Sequence, residues 1–292
     1  MTNILGNRVA YQKAILFSKC SHLFSYKGIV MSLTNPTLVL NCGSSSIKYA
    51  LISQDGSTRI EGLAEALGNA DARIKHKHLD GSKEEISIPG ATHQLALQKI
   101  LALIEQYHPV AVGHRVVHGG REFSSAVRIN EHVLSEIKRL SILAPLHNPA
   151  NAAGVEAVLA IYPNLPQVAV FDTAFHQTMP EVAFRYAIPK SLYEEHSIRR
   201  YGFHGTSHHY VSHRASELTN KEGKHGWLVA HLGNGCSATA VYDGKSLDTS
   251  MGLTPLEGLM MGTRSGDVDP SLHIHLHRVM GLSIEEVDTL LN

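Results

Sequence analysis

The stretch Asn41-Cys-Gly-Ser-Ser-Ser-Ile-Lys48 sets three hydroxyls, small residues and one amine side by side. Small residues let backbone N–H groups approach an anion and Lys48 adds a point charge, which is the chemistry of a phosphate cradle, with Ser44, Ser46 and Lys48 as candidate contacts. Nothing in the chain matches G-x-x-x-x-G-K-[ST], so the cradle is not a Walker A loop. A serine-rich hairpin turn is the plainer alternative. A second turn, His231-Leu-Gly-Asn-Gly235, ends an apolar strand and suits close approach of phosphates to the backbone, although Gly233 and Gly235 could serve turn geometry alone.

Two arginines stand among small residues: Arg115 in Gly113-His-Arg-Val-Val-His-Gly-Gly120, and Arg264 in Met261-Gly-Thr-Arg-Ser-Gly-Asp267. A guanidinium in an uncrowded loop suits bidentate contact with phosphate or carboxylate, and solvation at the surface is the competing reading. Asp172 closes the apolar run Val168-Ala-Val-Phe171, where α/β folds place catalytic groups; a carboxylate capping the next segment would look the same. His204 lies between glycines in Tyr201-Gly-Phe-His-Gly-Thr-Ser-His208. Leu143-Ala-Pro-Leu-His147-Asn-Pro149 combines polar groups with apolar anchors.

The elements that must hold these residues follow from periodicity. Thr37 to Asn41 and Ile47 to Ser53 are apolar runs about a polar tip, which predicts a hairpin. Thr92 to Tyr107 carries Leu97, Ile100, Leu101 and Ile104 behind a threonine cap and predicts a helix. Strands at Val110 to Val116 and Val168 to Phe171 bracket a helix over Asn151 to Ile161, and such alternation predicts an α/β fold. The run Leu38-Val-Leu-Asn-Cys-Gly-Ser-Ser-Ser has an echo in Leu228-Val-Ala-His-Leu-Gly-Asn-Gly-Cys, as a duplicated domain would produce.

The chain has 292 residues, 43% of them apolar and 18% charged, enough for a sizeable core and two domains. Lys and Arg number 26 against 26 Asp and Glu, so no overall field draws the chain to nucleic acid or an anionic membrane, and phosphate binding must be local. No apolar run approaches the roughly 20 residues that span a bilayer. Cys20, Cys42 and Cys236 form no C-x-x-C pair and are too scattered for a disulfide framework, which fits a reducing cytoplasm. The histidines His204, His208, His209 and His213 come without an H-E-x-x-H pattern.

Residues 1–30 contain Arg8, Lys13, Lys19 and Lys27 and no acidic residue. Their apolar stretch, Ala14 to Phe17, is shorter than a signal-peptide core, and a start at Met31 behind an atypical extension is the expectation. The domain boundaries expected are 1–30 for that extension, 31–175 for an N-terminal α/β domain and 176–292 for a partial second one.

Taken in order, N-C-G-S-S-S-I-K, G-H-R-V-V-H-G-G, A-P-L-H-N-P, F-D-T-A-F-H, R-R-Y-G-F-H-G-T-S-H, H-L-G-N-G and D-T-S-M-G-L-T-P-L-E-G-L-M-M-G-T-R-S-G-D-V-D resemble the acetate kinase family from about Leu38 to Pro270. The resemblance implies duplicated actin-like, ribonuclease H-like α/β domains and reversible phosphoryl transfer from ATP to acetate, giving acetyl phosphate and ADP. It implies Mg²⁺ held with the help of Asn41, and ATP phosphates met by Lys48 and by His231, Leu232, Gly233, Asn234 and Gly235. It implies Arg115 on the substrate carboxylate and Asp172 at the catalytic acidic position, with His204 and Arg264 on the phosphoryl group in flight. Val117, Leu146, Phe203 and Pro255 match the apolar pocket for the methyl end, with His147 beside them. A cytoplasmic homodimer is implied as well.

The family pattern continues past the point matching Asn292 with S-x-D-x-R, G-G-I-G-E-N and a late Glu associated with nucleotide and metal binding. The second domain is therefore expected to be incomplete and the chain to be C-terminally truncated. Propionate kinase shares nearly all these motifs, and a non-catalytic fragment is the rival from outside the enzymes.

Overall fold

The computed structural model describes residues 36–220 and 223–292, and the expected extension over 1–30 lies outside them. The chain divides between Ala174 and Phe175 into two compact units.

In the first unit, β1 (Thr37–Cys42) and β2 (Ile47–Ile52) form the expected hairpin, paired antiparallel with Asn41 opposite Lys48. Gly43 N donates to Ser46 O at 2.7 Å and closes its tip. The meander goes on through β3 (Thr58–Glu65), β4 (Arg73–Lys77) and β5 (Lys83–Ser87). Their core face carries Gly62 and His76 among the apolar residues, which blurs the alternation that would announce strands. Gly62 is needed there, because a Cβ at that position would fall 2.3 Å from Tyr49 Cζ. Helix α1 (His93–Ile104) follows, with Thr92 Oγ1 accepting from Leu95 N. It buries Leu97, Ile100, Leu101 and Ile104 against the sheet and ends three residues before Tyr107 in a 3₁₀ turn.

Strand β6 (Ala111–Val116) pairs parallel with β1, and after β7 (Val127–Arg128), α2 (Glu131–Arg139) and α3 (Asn148–Ile161), β8 (Gln167–Phe171) pairs parallel with β6. The sheet order is β5-β4-β3-β2-β1-β6-β8-β7. Helix α3 begins ahead of the expected Asn151 because Pro149 fits its first turn, where an N–H would have no intrahelical partner. The central parallel strands are buried on both faces, so β8 reads as one apolar run. Their carboxyl ends share one edge, and Asn41, Arg115 and Asp172 all stand there.

The second unit opens with a 3₁₀ turn at Phe175–Thr178 and short helices α4 (Glu181–Phe184) and α5 (Lys190–His196), then α6 (Gly205–Thr219). Strands β9 (Gly226–Leu232), β10 (Cys236–Tyr242) and β11 (Lys245–Thr249) make an antiparallel sheet in the order β11-β10-β9. The β9–β10 hairpin carries the second glycine turn, with Leu232 opposite Cys236. Helices α7 (Ser271–Met280) and α8 (Ile284–Leu291) pack through Leu276, Val287 and Leu291, and Ser283 with Glu286 forms the capping box that starts α8.

Candidate active-site residues on the two units

At the edge of the first sheet Arg115 is gripped from its side. Its Nε lies 3.1 and 3.0 Å from Asp172 Oδ1 and Oδ2, Nη2 also donates to Oδ2, and Nη1 donates to Asn41 Oδ1 at 3.2 Å. Asp172 is buried and Arg115 keeps 20% of its side chain exposed. Burial by itself would lower the arginine's pKa, but the charge and hydrogen bonds of Asp172 outweigh it and the net shift is upward. The guanidinium is thus permanently charged and fixed in orientation. Lys48 is exposed next to Asn41 across the hairpin, Ser44 is exposed at the tip and Ser46 half-buried.

The loop after β6 is clamped by two asparagines of α3 that sequence reasoning did not single out. Asn151 Oδ1 accepts from Val117 N at 3.0 Å while its Nδ2 donates to Cys42 O at 2.7 Å. Asn148 exchanges hydrogen bonds with both backbone groups of His118, and Thr173 Oγ1 accepts from Gly119 N. The i, i+3 spacing of the asparagines on one helix face was the available signal. Val117 is buried, His147 is half-buried at the start of α3, and Leu146 stands 72% exposed.

In the second unit the glycine turn, His204 and Arg264 come together. A Cβ on Gly235 would lie 3.1 Å from Arg264 Nη2 and 3.6 Å from His204 Cε1. The loop carrying Arg264 is tied to the turn by Gly262 N donating to Asn234 O, and Arg264 Nη1 donates to Pro255 O at 2.6 Å. Leu232, Gly233 and Asn234 are exposed. His204, in the left-handed conformation at φ 58, caps α6 and stacks on His231 with ring centres 4.0 Å apart. His231 Nδ1 lies 2.9 Å from Ser207 Oγ. Phe203 is buried, and its carbonyl accepts from His176 Nε2 at 3.0 Å, which fixes a proton on that nitrogen. Ser237 behind His204 is a further residue that motif reading missed, and it joins His204 to His208, since its two partners lie on another element.

Among the described residues no group of three or more His, Cys, Asp and Glu could hold a metal ion, and no helix is long and apolar enough to cross a membrane. The oxygens of Asn41 and Asp172 are the hard donors that magnesium accepts, and the guanidinium engages both. They fit an ion that arrives on phosphate and keeps its waters.

Solved structures share this architecture. A propionate kinase from Francisella tularensis superposes with a TM-score of 0.85 at 48% identity, covering 88% of this chain and 68% of that one. Acetate kinase from Porphyromonas gingivalis gives 0.82 at 45% identity, covering 88% and 67%. The chain therefore has the actin-like α/β fold of the carboxylate kinases. Residues 36–292 match the model of the acetokinase family, and the chain belongs to that family. An acetate kinase of Pseudomonas aeruginosa (strain LESB58) is 55% identical over 262 residues, and one of Stutzerimonas stutzeri (strain A1501) is 55% identical over 260. Each match covers 87% of this chain, which spans 66% of the length of either relative.

Proposed function

We propose that the chain is an acetate kinase, transferring the γ-phosphoryl group of ATP directly to acetate to give acetyl phosphate and ADP. The observation that carries the reading is the Arg115 fork, fixed by Asp172 through Nε and Nη2 and by Asn41 through Nη1, with one N–H left on each of Nη1 and Nη2 at the end of the fork. That end takes a second carboxylate in two parallel hydrogen bonds. Acetate is already ionised at neutral pH and needs no general base, so Asp172 serves by orienting Arg115. Lys48, Ser44, Ser46 and the turn from His231 to Gly235 meet the ATP phosphates. His204, by a hydrogen bond, and Arg264, by its charge, stabilise the phosphoryl group as it moves through a loose transition state. Asn41 would help to hold a magnesium ion brought in on ATP, which would screen the phosphate charge. Val117, Leu146, His147, Phe203 and Pro255 line the substrate's apolar end.

The family's names support this reading, and a cytoplasmic homodimer rests on the same resemblance, with Cys42 and Cys236 as free thiols. The propionate kinase among the solved structures is consistent with propionate as an alternative acceptor, since one methylene is worth only about 1–3 kcal/mol in an apolar pocket. The test is ADP release by the purified chain with Mg²⁺-ATP and acetate, propionate or butyrate, with hydroxylamine trapping the acyl phosphate. Acetate-dependent hydroxamate that drops on the order of 10³-fold in Arg264→Ala is expected. Release of ADP independent of any carboxylate would overturn the proposal.

A further inference from the structure

Histidines 176, 204, 208 and 231 gather in the second unit. Besides the His204–His231 stack, the His208 ring centre lies 5.7 Å from that of His176 and 6.4 Å from that of His231. Between His204 and His208 stands Ser237 of β10, fully buried, its Oγ 2.9 Å from His204 Nδ1 and 2.7 Å from His208 Nε2. A hydroxyl has one proton and two lone pairs, and among the described residues the two rings are the hydrogen-bond partners of this buried Oγ, so Ser237 donates to one ring and accepts from the other.

His208 decides which. Its ring is fully buried, and its Nδ1 finds no hydrogen-bond partner among the described residues. A proton on Nδ1 would strand a buried donor, whereas a proton on Nε2 leaves only a bare lone pair, and orphaned buried N–H groups are the rarer and costlier case. Burial, with His176, His204 and His231 nearby, pushes the His208 pKa down to about 2, so the ring carries a single proton.

We infer that His208 and Ser237 are positioning residues that set the tautomer of His204. His208 Nε2–H donates to Ser237 Oγ, Ser237 Oγ–H donates to His204 Nδ1, and the neutral His204 ring carries its proton on Nε2. The inference rests on the reading of His204 as the group that meets the phosphoryl oxygens. An Nε2–H can donate to an anionic oxygen, while the other tautomer would turn a lone pair toward it. The surroundings favour the neutral ring, because His204 sits at the positive end of α6 and shares Gly235 as a neighbour with the Arg264 guanidinium.

The test is long-range ¹H–¹⁵N spectroscopy of the whole chain labelled with ¹⁵N-histidine, which separates protonated from bare ring nitrogens, with His204 assigned by its loss in His204→Gln. The expected result is a proton on Nε2 in the unaltered chain and mixed tautomers in Ser237→Ala and His208→Leu. His208→Gln, whose amide can still donate to Ser237, should keep the original tautomer. A proton on Nδ1 in the unaltered chain overturns the inference whatever the variants do, as does an unchanged ring in a folded Ser237→Ala. In turnover, Ser237→Ala is expected to lower kcat about tenfold with the carboxylate KM unchanged, less than the loss of a whole charge-stabilising donor. The ring spectra need no turnover, so a failure of the proposed activity shows separately from a failure of the tautomer assignment.

Discussion

Asp172 and Arg115 meet side-on across two parallel strands, with Arg115 Nε 3.0 to 3.1 Å from both carboxylate oxygens and Nη2 on the second of them. The register that pairs Val116 with Phe171 sets the two side chains at one sheet edge. Removing Asp172 would leave a charge that is four-fifths covered without its counterion. Asp172→Ala should therefore destabilise the chain by about 3 kcal/mol, the low end for breaking a buried pair, while Arg115→Lys should fold and raise the carboxylate KM because a point charge cannot replace the fork. Urea unfolding and acetate titrations of the two variants separate these outcomes.

Asn151 satisfies the backbone of two segments at once, Val117 N and Cys42 O, from a buried position. Asn151→Ala leaves both groups without that partner, at about 1–3 kcal/mol each. A urea midpoint lowered by the equivalent of about 2–4 kcal/mol is expected, and a loss under about 0.5 kcal/mol would show that water replaces the side chain.

Gly235 has no positive φ, so alanine is tolerated by its backbone but places a Cβ 3.1 Å from Arg264 Nη2. Gly235→Ala should melt like the unaltered chain and lose turnover on the order of 10²-fold, the cost of a small misplacement of a charge-stabilising group. Equal kcat in the two proteins would detach Arg264 from the reaction.

Val117 tests the apolar pocket. Val117→Ala should raise the ratio of kcat/KM for propionate over acetate by about tenfold, within the discrimination that one methylene allows. An unchanged ratio among acetate, propionate and butyrate would remove Val117 from the pocket.

Stability should fall in acid through buried histidines. Desolvation pushes His114 and His118 down to about 4, and desolvation with neighbouring imidazoles pushes His208 to about 2. In the unfolded chain each ring takes a proton near pH ~6.5, so below that the unfolded state binds more protons than the folded one. The contribution is complete above about pH 6.5 and declines as pH falls toward the folded values, by up to about 1.4 kcal/mol per pH unit for each ring. Urea midpoints between about pH 7 and about pH 5 should drop, and His114→Gln should flatten the slope. A pH-independent midpoint over that range would contradict the assignment.

Local order determined what the sequence could show. The hairpin at Thr37–Cys42 and Ile47–Ile52, helix α1 and the Ser283 capping box follow from apolar spacing and cap residues a few positions apart. The family is legible for the same reason, because its motifs are contiguous. Strands β3 to β5 were hidden by Gly62 and His76 on their core face, where the bulk of Tyr49 takes the space. The orientation of Arg115 by Asp172, the Asn151 clamp and the Ser237 bridge join residues 57, 34 and 33 positions apart. Only the tertiary structure decided these, because a polar side chain's role inside a protein is set by the donors and acceptors that packing brings to it, and strand register and helix docking choose those partners.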